Sequence, residues 1–217
     1  MDDFRFYTIA ELIKELEKYK FSQFHIHHTW KPAHSSFKGN NHMSMQQAMK
    51  DYHTKINKWA DIGQHLTLFP DGRWLSGRPF YKTPASISGW NSGALAVEMV
   101  GNFDIPGTGV ENDLGYDKLE GEQKQEILKL MKYFIDKYGE KSIVFHRDNK
   151  NANKTCPGTS LEKEKLIQEA KNIGEPSAWA KDAWDWAIDE KITDGTNPKN
   201  LATREEVITI LYRVFKK

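Results

Sequence analysis

Residues 21–29 read Phe21-Ser22-Gln23-Phe24-His25-Ile26-His27-His28-Thr29. Phe24 and Ile26 alternate with polar positions, the pattern of a β-strand bounded by turn residues. Alternation puts His25 and His27 on one face of that strand and His28 on the other. Three imidazoles in so short a strand give up apolar burial, and metal binding or catalysis supplies a reason for the loss. Working outward, residues 8–20 predict a helix. Thr8 and Glu11 make a capping box, and Leu12, Ile13, Leu16 and Tyr19 share a face. A second helix is expected from Ser44, with Gln47 at the capping-box position, to about Ala60. Residues 64–69 and 73–76 flank Pro70-Asp71-Gly72, a hairpin signal. Residues 94–100 form an apolar run of strand length, and residues 102–116 read as a long polar loop. Residues 120–138 predict the longest helix, ended by Gly139. A short strand at 142–145 and a helix at 160–172 follow. Strands alternating with helices imply an α/β sheet domain.

Composition narrows the function. Of 217 residues, 31 are Lys or Arg and 30 are Asp or Glu, a net charge of +1 that lacks the basic excess of a nucleic-acid binder. With 11 Phe, 8 Tyr and 7 Trp, the chain has the apolar surface to fold. No apolar run reaches the roughly 18 residues of a membrane span. Met1-Asp2-Asp3-Phe4-Arg5 has acids where a secretory signal has bases, so the expectation is a protein made in the cytoplasm without a signal peptide. Work outside the membrane would then need release by something other than a standard export signal. A single cysteine excludes an internal disulfide framework. Composition shifts again at Gly174-Glu175-Pro176-Ser177, which reads as a linker. The expected division is 1–173 for the first domain and 177–217 for a small helical module. In that module Ser177 caps one helix, Thr203 and Glu206 box another, and residues 193–198 form the turn between them.

Seven of the eight histidines lie between positions 25 and 65, and the eighth is His146. His146-Arg147-Asp148 follows a predicted strand, and Cys156 lies ten residues after His146 in Lys154-Thr155-Cys156-Pro157-Gly158. A lone cysteine is usually a small buried apolar residue, but this one sits in a polar loop. A histidine of the first strand, His146 and Cys156 together offer three N/S donors, the number that leaves a zinc site one open position for water. No short-range pattern such as His-x-x-x-His accompanies them.

These segments, with Asp61-Ile62-Gly63, Asp71-Gly72, Gly77-Arg78 and residues 97–103, together resemble the zinc-dependent N-acetylmuramoyl-L-alanine amidases. That group includes phage lysozyme-type amidases and peptidoglycan recognition proteins. The resemblance runs from about Phe24 to Leu161. It implies a mixed central β-sheet flanked by helices, with Zn²⁺ held by His27, His146 and Cys156. The imidazole followed by one residue and then Ser or Thr is the ligand, hence His27 and not His28. Many such proteins carry a catalytic tyrosine where this chain has Gln64, which cannot act as a base. Glu98, in Glu98-Met99-Val100-Gly101, instead matches a catalytic glutamate of cytoplasmic muropeptide amidases. Its apolar neighbours Leu95, Val97 and Val100 mark an interior where a lone carboxylate is costly. Lys154 matches a lysine that contacts the reacting carbonyl.

The implied reaction is hydrolysis of the amide between N-acetylmuramic acid and L-alanine of the stem peptide, as in a phage endolysin or bacterial autolysin. The alternative is a non-catalytic peptidoglycan-binding protein of the same fold. A glycosidase would need a second carboxylate paired with Glu98, and none stands out. Residues 177–217 resemble one S-layer homology unit, through Trp179-Ala180, Trp186-Ala187-Ile188, Ile192-Thr193-Asp194-Gly195 and Thr203-Arg204-Glu205-Glu206. That resemblance implies binding to a secondary wall polymer. A helical cap on the first domain and a homodimer contact are the other roles considered. Trp184 and Trp186 lie ~200° apart around a helix, so Trp179, Trp184 and Trp186 cannot share one face.

Overall fold

The computed structural model describes residues 4–110, 112–195, 198–199 and 202–216. Met1, Asp2 and Asp3, and Thr196 and Asn197 of the expected 193–198 turn, lie outside the described residues. The chain divides after Lys171 into two compact units.

The first unit is built on a six-stranded mixed sheet of order β1-β4-β3-β5-β2-β6. The strands are β1 (Phe6–Tyr7), β2 (Gln23–His28), β3 (Leu66–Leu68), β4 (Trp74–Ser76), β5 (Ala94–Met99) and β6 (Ile143–Phe145). The β3–β4 pair is the expected antiparallel hairpin, and β1 extends it. The strands β3, β5, β2 and β6 run parallel to one another. The central strands β2 and β5 are nearly continuously buried, as parallel strands covered on both faces must be.

Among the described residues this unit has four α-helices: α1 (Ile9–Leu16), α2 (His42–Asp51), α3 (Gly121–Tyr138) and α4 (Lys163–Lys171). The predicted Thr8–Glu11 capping box is present on α1, where the Thr8 and Glu11 backbone N–H groups are both satisfied by side chains. Helix α2 begins two residues earlier than its sequence suggests. Ser44 Oγ donates to the Asn41 carbonyl instead of capping, and the helix passes into a π turn at Tyr52–Ile56. Helix α3 lies against β2 and β6, flanked by α1 and α4. Its Phe134 ring meets Phe24 with centroids 4.9 Å apart, a contact worth roughly 0.5–1.5 kcal/mol beyond burial. This packing consumes the Phe24/Ile26 face of β2. The opposite face, carrying His25 and His27, is left for the site.

The second unit holds a 3-10 turn at Ala178–Ala180, α5 (Lys181–Asp189) and α6 (Arg204–Phe215). Ser177 precedes the 3-10 turn without a side-chain cap, whereas Thr203 and Glu206 form their capping box on α6. No described residue of α5 or α6 is buried. Trp184 is half-buried, while Trp179 and Trp186 are 90% and 53% exposed. The tryptophans therefore do not share a face, as their spacing requires.

Candidate metal centre

Strand register assembles the site. In the parallel β2–β5 pair His27 stands opposite Glu98, and in the β2–β6 pair Ile26 stands opposite Phe145. One residue further, His146 leaves the end of β6 beside His27. Residues opposite one another across a parallel pair share a face, with strands ~4.8 Å apart. Thr67 of β3 continues the row on the far side of Glu98. The row lies at the carboxyl ends of the parallel strands, where open α/β sheets place their ligands.

Cys156 arrives from the loop after β6. Its Sγ lies 3.4 Å from His27 Nδ1, and the His27 and His146 rings meet edge to face with centroids 4.9 Å apart. One donor atom from each of His27, His146 and Cys156 falls within 4.8 Å of the others, the arrangement of a metal-binding triad. Two anchors hold the Cys156 loop, the half-buried Arg147 and the buried Asp104. Arg147 donates to the carbonyl oxygens of Thr155, Gly158 and Leu161, and its backbone N–H donates to the Cys156 carbonyl. Asp104, 1% exposed, accepts from the Thr159 N–H at 2.9 Å and the Thr155 hydroxyl at 3.1 Å. Gly158 has φ +126° and its backbone touches Phe103 so closely that a Cβ would lie 2.4 Å from the Phe103 Cβ. Only glycine fits there.

Burial sets the electrostatics. It holds the His27 imidazole well below its ordinary pKa, helped by the neighbouring His146, and it lowers His146 as well, with Lys154 adding to the effect. Both are therefore neutral near pH 7, the form a metal requires. Burial pushes the Cys156 thiol upward, so the free thiol keeps its proton until a cation displaces it. Among the described residues Glu98 has no ion-pair partner, and burial raises its carboxyl to about 7.

The triad opens into a groove of about 500 Å³, lined also by Glu98, Lys154, Gln64, Trp30 and Trp59. Lys154 is exposed at the rim. Gln64 is buried; its amide Nε2 donates to Thr67 Oγ1 at 3.0 Å and its Oε1 has no hydrogen-bond partner. Trp59 stacks on His53 with centroids 4.7 Å apart. All five residues singled out from the sequence, His27, Glu98, His146, Lys154 and Cys156, thus line one groove. His28 also borders the groove but is not one of the triad: its ring stacks on Phe103 and accepts the Phe103 N–H at 3.2 Å. The anchors Asp104 and Arg147, the groove wall Trp59–His53 and the hydroxyl of Ser86 escape sequence reasoning. Only Arg147 gives a hint, as the neighbour of His146 in the His146-Arg147-Asp148 segment.

Comparison with known proteins gives a family and a shared fold. Residues 17–159 match the family described as N-acetylmuramoyl-L-alanine amidase. A curated mouse protein named N-acetylmuramoyl-L-alanine amidase is 30% identical over 79 residues, which is 36% of this chain and 15% of that one. The chain therefore spans under a sixth of that relative. Among solved structures, the amidase LysC from Clostridium intestinale superimposes with a TM-score of 0.52 at 22% identity, covering 70% of this chain and 87% of the other. Drosophila PGRP-LB gives 0.52 at 20% identity, covering 70% and 81%. The endolysin of Thermus scotoductus bacteriophage Ph2119 gives 0.52 at 20% identity, covering 70% and 86%. At these identities the superpositions establish the shared fold.

Proposed function

The chain belongs to the N-acetylmuramoyl-L-alanine amidase family, and on that premise we propose that it is a peptidoglycan hydrolase. Its substrate is the amide joining N-acetylmuramic acid to L-alanine of the stem peptide. The observation that carries the reading is the convergence of His27, His146 and Cys156 within 4.8 Å beside Glu98 on a groove floor. Zinc suits this donor set. Two imidazole nitrogens and a thiolate are donors that Zn²⁺ takes, and His27, His146 and Cys156 would hold it. Bound there, it would polarise the scissile carbonyl and bring the pKa of a water towards 7.

The protein's own groups do the rest. Glu98, poised between its two protonation states near neutral pH, accepts a proton from the attacking water and returns it to the departing amine nitrogen. The water oxygen bonds to the carbonyl carbon as the C–N bond breaks, so the products are a lactyl carboxylate and a free L-alanine amine. Lys154 donates towards the carbonyl oxygen as negative charge develops, a role worth roughly 3–4 kcal/mol when one donor is lost. Trp30 and Trp59 offer flat apolar walls to glycan or peptide. Residues 177–217 serve wall attachment, supported by the exposed Trp179 and Trp186.

The test is digestion of purified walls. New L-alanine amino groups without new reducing sugars are expected, abolished by a chelator and restored by Zn²⁺. Cys156→Ser is expected to lose most of its zinc and nearly all lysis, because a hydroxyl is a poor zinc ligand. Full activity in Cys156→Ser removes the metal assignment. Wall binding without amine release assigns the chain to the non-catalytic members of the fold.

A further inference from the structure

Behind the triad, on the side of His27 away from Cys156, lies a file of polar groups that the hydrolytic scheme does not use. His27 Nε2 is 2.6 Å from Ser86 Oγ. The same Oγ is 3.0 Å from His25 Nδ1, and His25 Nε2 is 2.8 Å from Gln23 Oε1. His25 is fully buried. The loop carrying Ser86 is held in place independently. The Ser86 and Ile87 backbone N–H groups both donate to Asn91 Oδ1, at 3.1 and 2.8 Å, and the Ala85 N–H donates to the Gly63 carbonyl.

We propose that Ser86 and His25 are positioning residues that fix the tautomer and ring orientation of His27 as a metal ligand. The inference rests on the metal assignment above. Its logic is donor counting. His27 Nδ1 faces Cys156, so that nitrogen must keep its lone pair for a cation. The ring proton is then on Nε2 and is donated to Ser86 Oγ. A serine hydroxyl has a single proton, and the acceptor beside it is His25 Nδ1. That makes His25 a donor through Nε2, and the acceptor it meets is the Gln23 amide oxygen. Every group has one role, and all the roles run in one direction, from the metal site to Gln23 at the start of β2. A metal-bound imidazole generally donates its other N–H to such a partner, and removing the partner typically weakens metal affinity about 10–100-fold. The pattern also explains the third imidazole of this strand: His25 shares the face of His27 but is not itself in the triad.

The experiment measures metal affinity on the full chain by competition with a chromogenic chelator, for Zn²⁺ and for Co²⁺, with the Co²⁺ visible spectrum recorded. Ser86→Ala is expected to bind about 10–100-fold more weakly and to shift the Co²⁺ bands. Ser86→Thr, which keeps the hydroxyl, is expected to restore both. The second pair is His25→Phe, which keeps ring volume without an acceptor, against His25→Asn, which places an amide oxygen near the Nδ1 position. The first should lose affinity and the second regain part of it. Unchanged affinity and spectrum in Ser86→Ala overturn the proposal, as does equal loss in Ser86→Ala and Ser86→Thr. A wild-type chain that binds neither ion overturns the metal assignment along with it. Normal binding in the wild type and in every variant overturns the relay alone.

Discussion

Glu98 is where the physical demands on single residues conflict most. A carboxylate on β5, in the middle of the sheet, costs free energy when ionised, and among the described residues no ion pair offsets that cost. Burial accordingly raises its carboxyl to about 7. A group with that value can both take and give a proton near neutral pH, which is what a single acid–base residue must do in amide hydrolysis. Gln64, two positions from the start of β3, has no such capacity. Its buried amide donates to Thr67, the neighbour of Glu98 in the sheet, so it belongs to the packing of the groove floor. The expected outcome is that Glu98→Gln keeps zinc and fold but loses at least about 10²-fold in kcat, roughly 2.7 kcal/mol of barrier. Gln64→Ala should lose less. Kinetics on a soluble muropeptide, with zinc content measured in parallel, check the pair. A dead Gln64→Ala beside an active Glu98→Gln would show that the base has been misassigned.

At the scale of elements, what was readable was whatever obeys a local period. The two-residue repeat of β2 separates His27 from His28 by face, and the capping boxes at Thr8 and Thr203 appear where their spacing predicts. The start of α2 was not readable, because the Ser44–Gln47 spacing competes with tertiary packing of Met45 against Phe69, Leu75 and Val100. β1, a two-residue edge pairing with β4, has no periodic signal of its own. Register is also non-local: nothing in residues 23–28 or 94–99 alone states that His27 faces Glu98. Ser86 was out of reach for the same reason, since it meets His27 from a loop 59 positions away. The sheet carries a pH signature as well. His65, fully buried at the entrance to β3, accepts the Ala96 N–H and donates to the Lys82 carbonyl. Burial lowers its pKa to about 4. An unfolded chain takes up that proton near pH 6.5 and the folded chain does not, so stability is full above 6.5 and falls as pH drops towards 4. Urea unfolding of metal-free protein should show this loss, with His65 contributing roughly 2–3 kcal/mol. His65→Gln should be less stable at pH 7 yet flatter across that window; an equal slope would place the proton uptake elsewhere.

The whole molecule combines one unit with a deep core and one without. The first has large side chains such as Trp74, Phe24, Phe69, Phe103, Phe134 and Phe145 fully buried. Every residue of the triad and its anchors falls within that unit. The second is short of the size at which a domain is usually stable alone, and its α6 keeps Ile208, Tyr212 and Phe215 more than 60% exposed. It also contains no histidine or cysteine, so it has no ligand to give the triad. So much apolar surface on two short helices needs a counterpart outside the pair, and wall polymer, with Trp179 and Trp186 as stacking platforms, is the counterpart proposed here. Ending the chain near Gly174 should therefore leave zinc content and cleavage of soluble muropeptides unchanged. Binding to and lysis of intact walls should fall, because the attachment surface is gone while the catalytic groove is intact. Sedimentation analysis of both lengths completes the comparison. A fall in oligomeric mass on truncation would assign the surface to self-association, and an insoluble truncated chain inactive on soluble substrate would show that the second unit completes the core of the first.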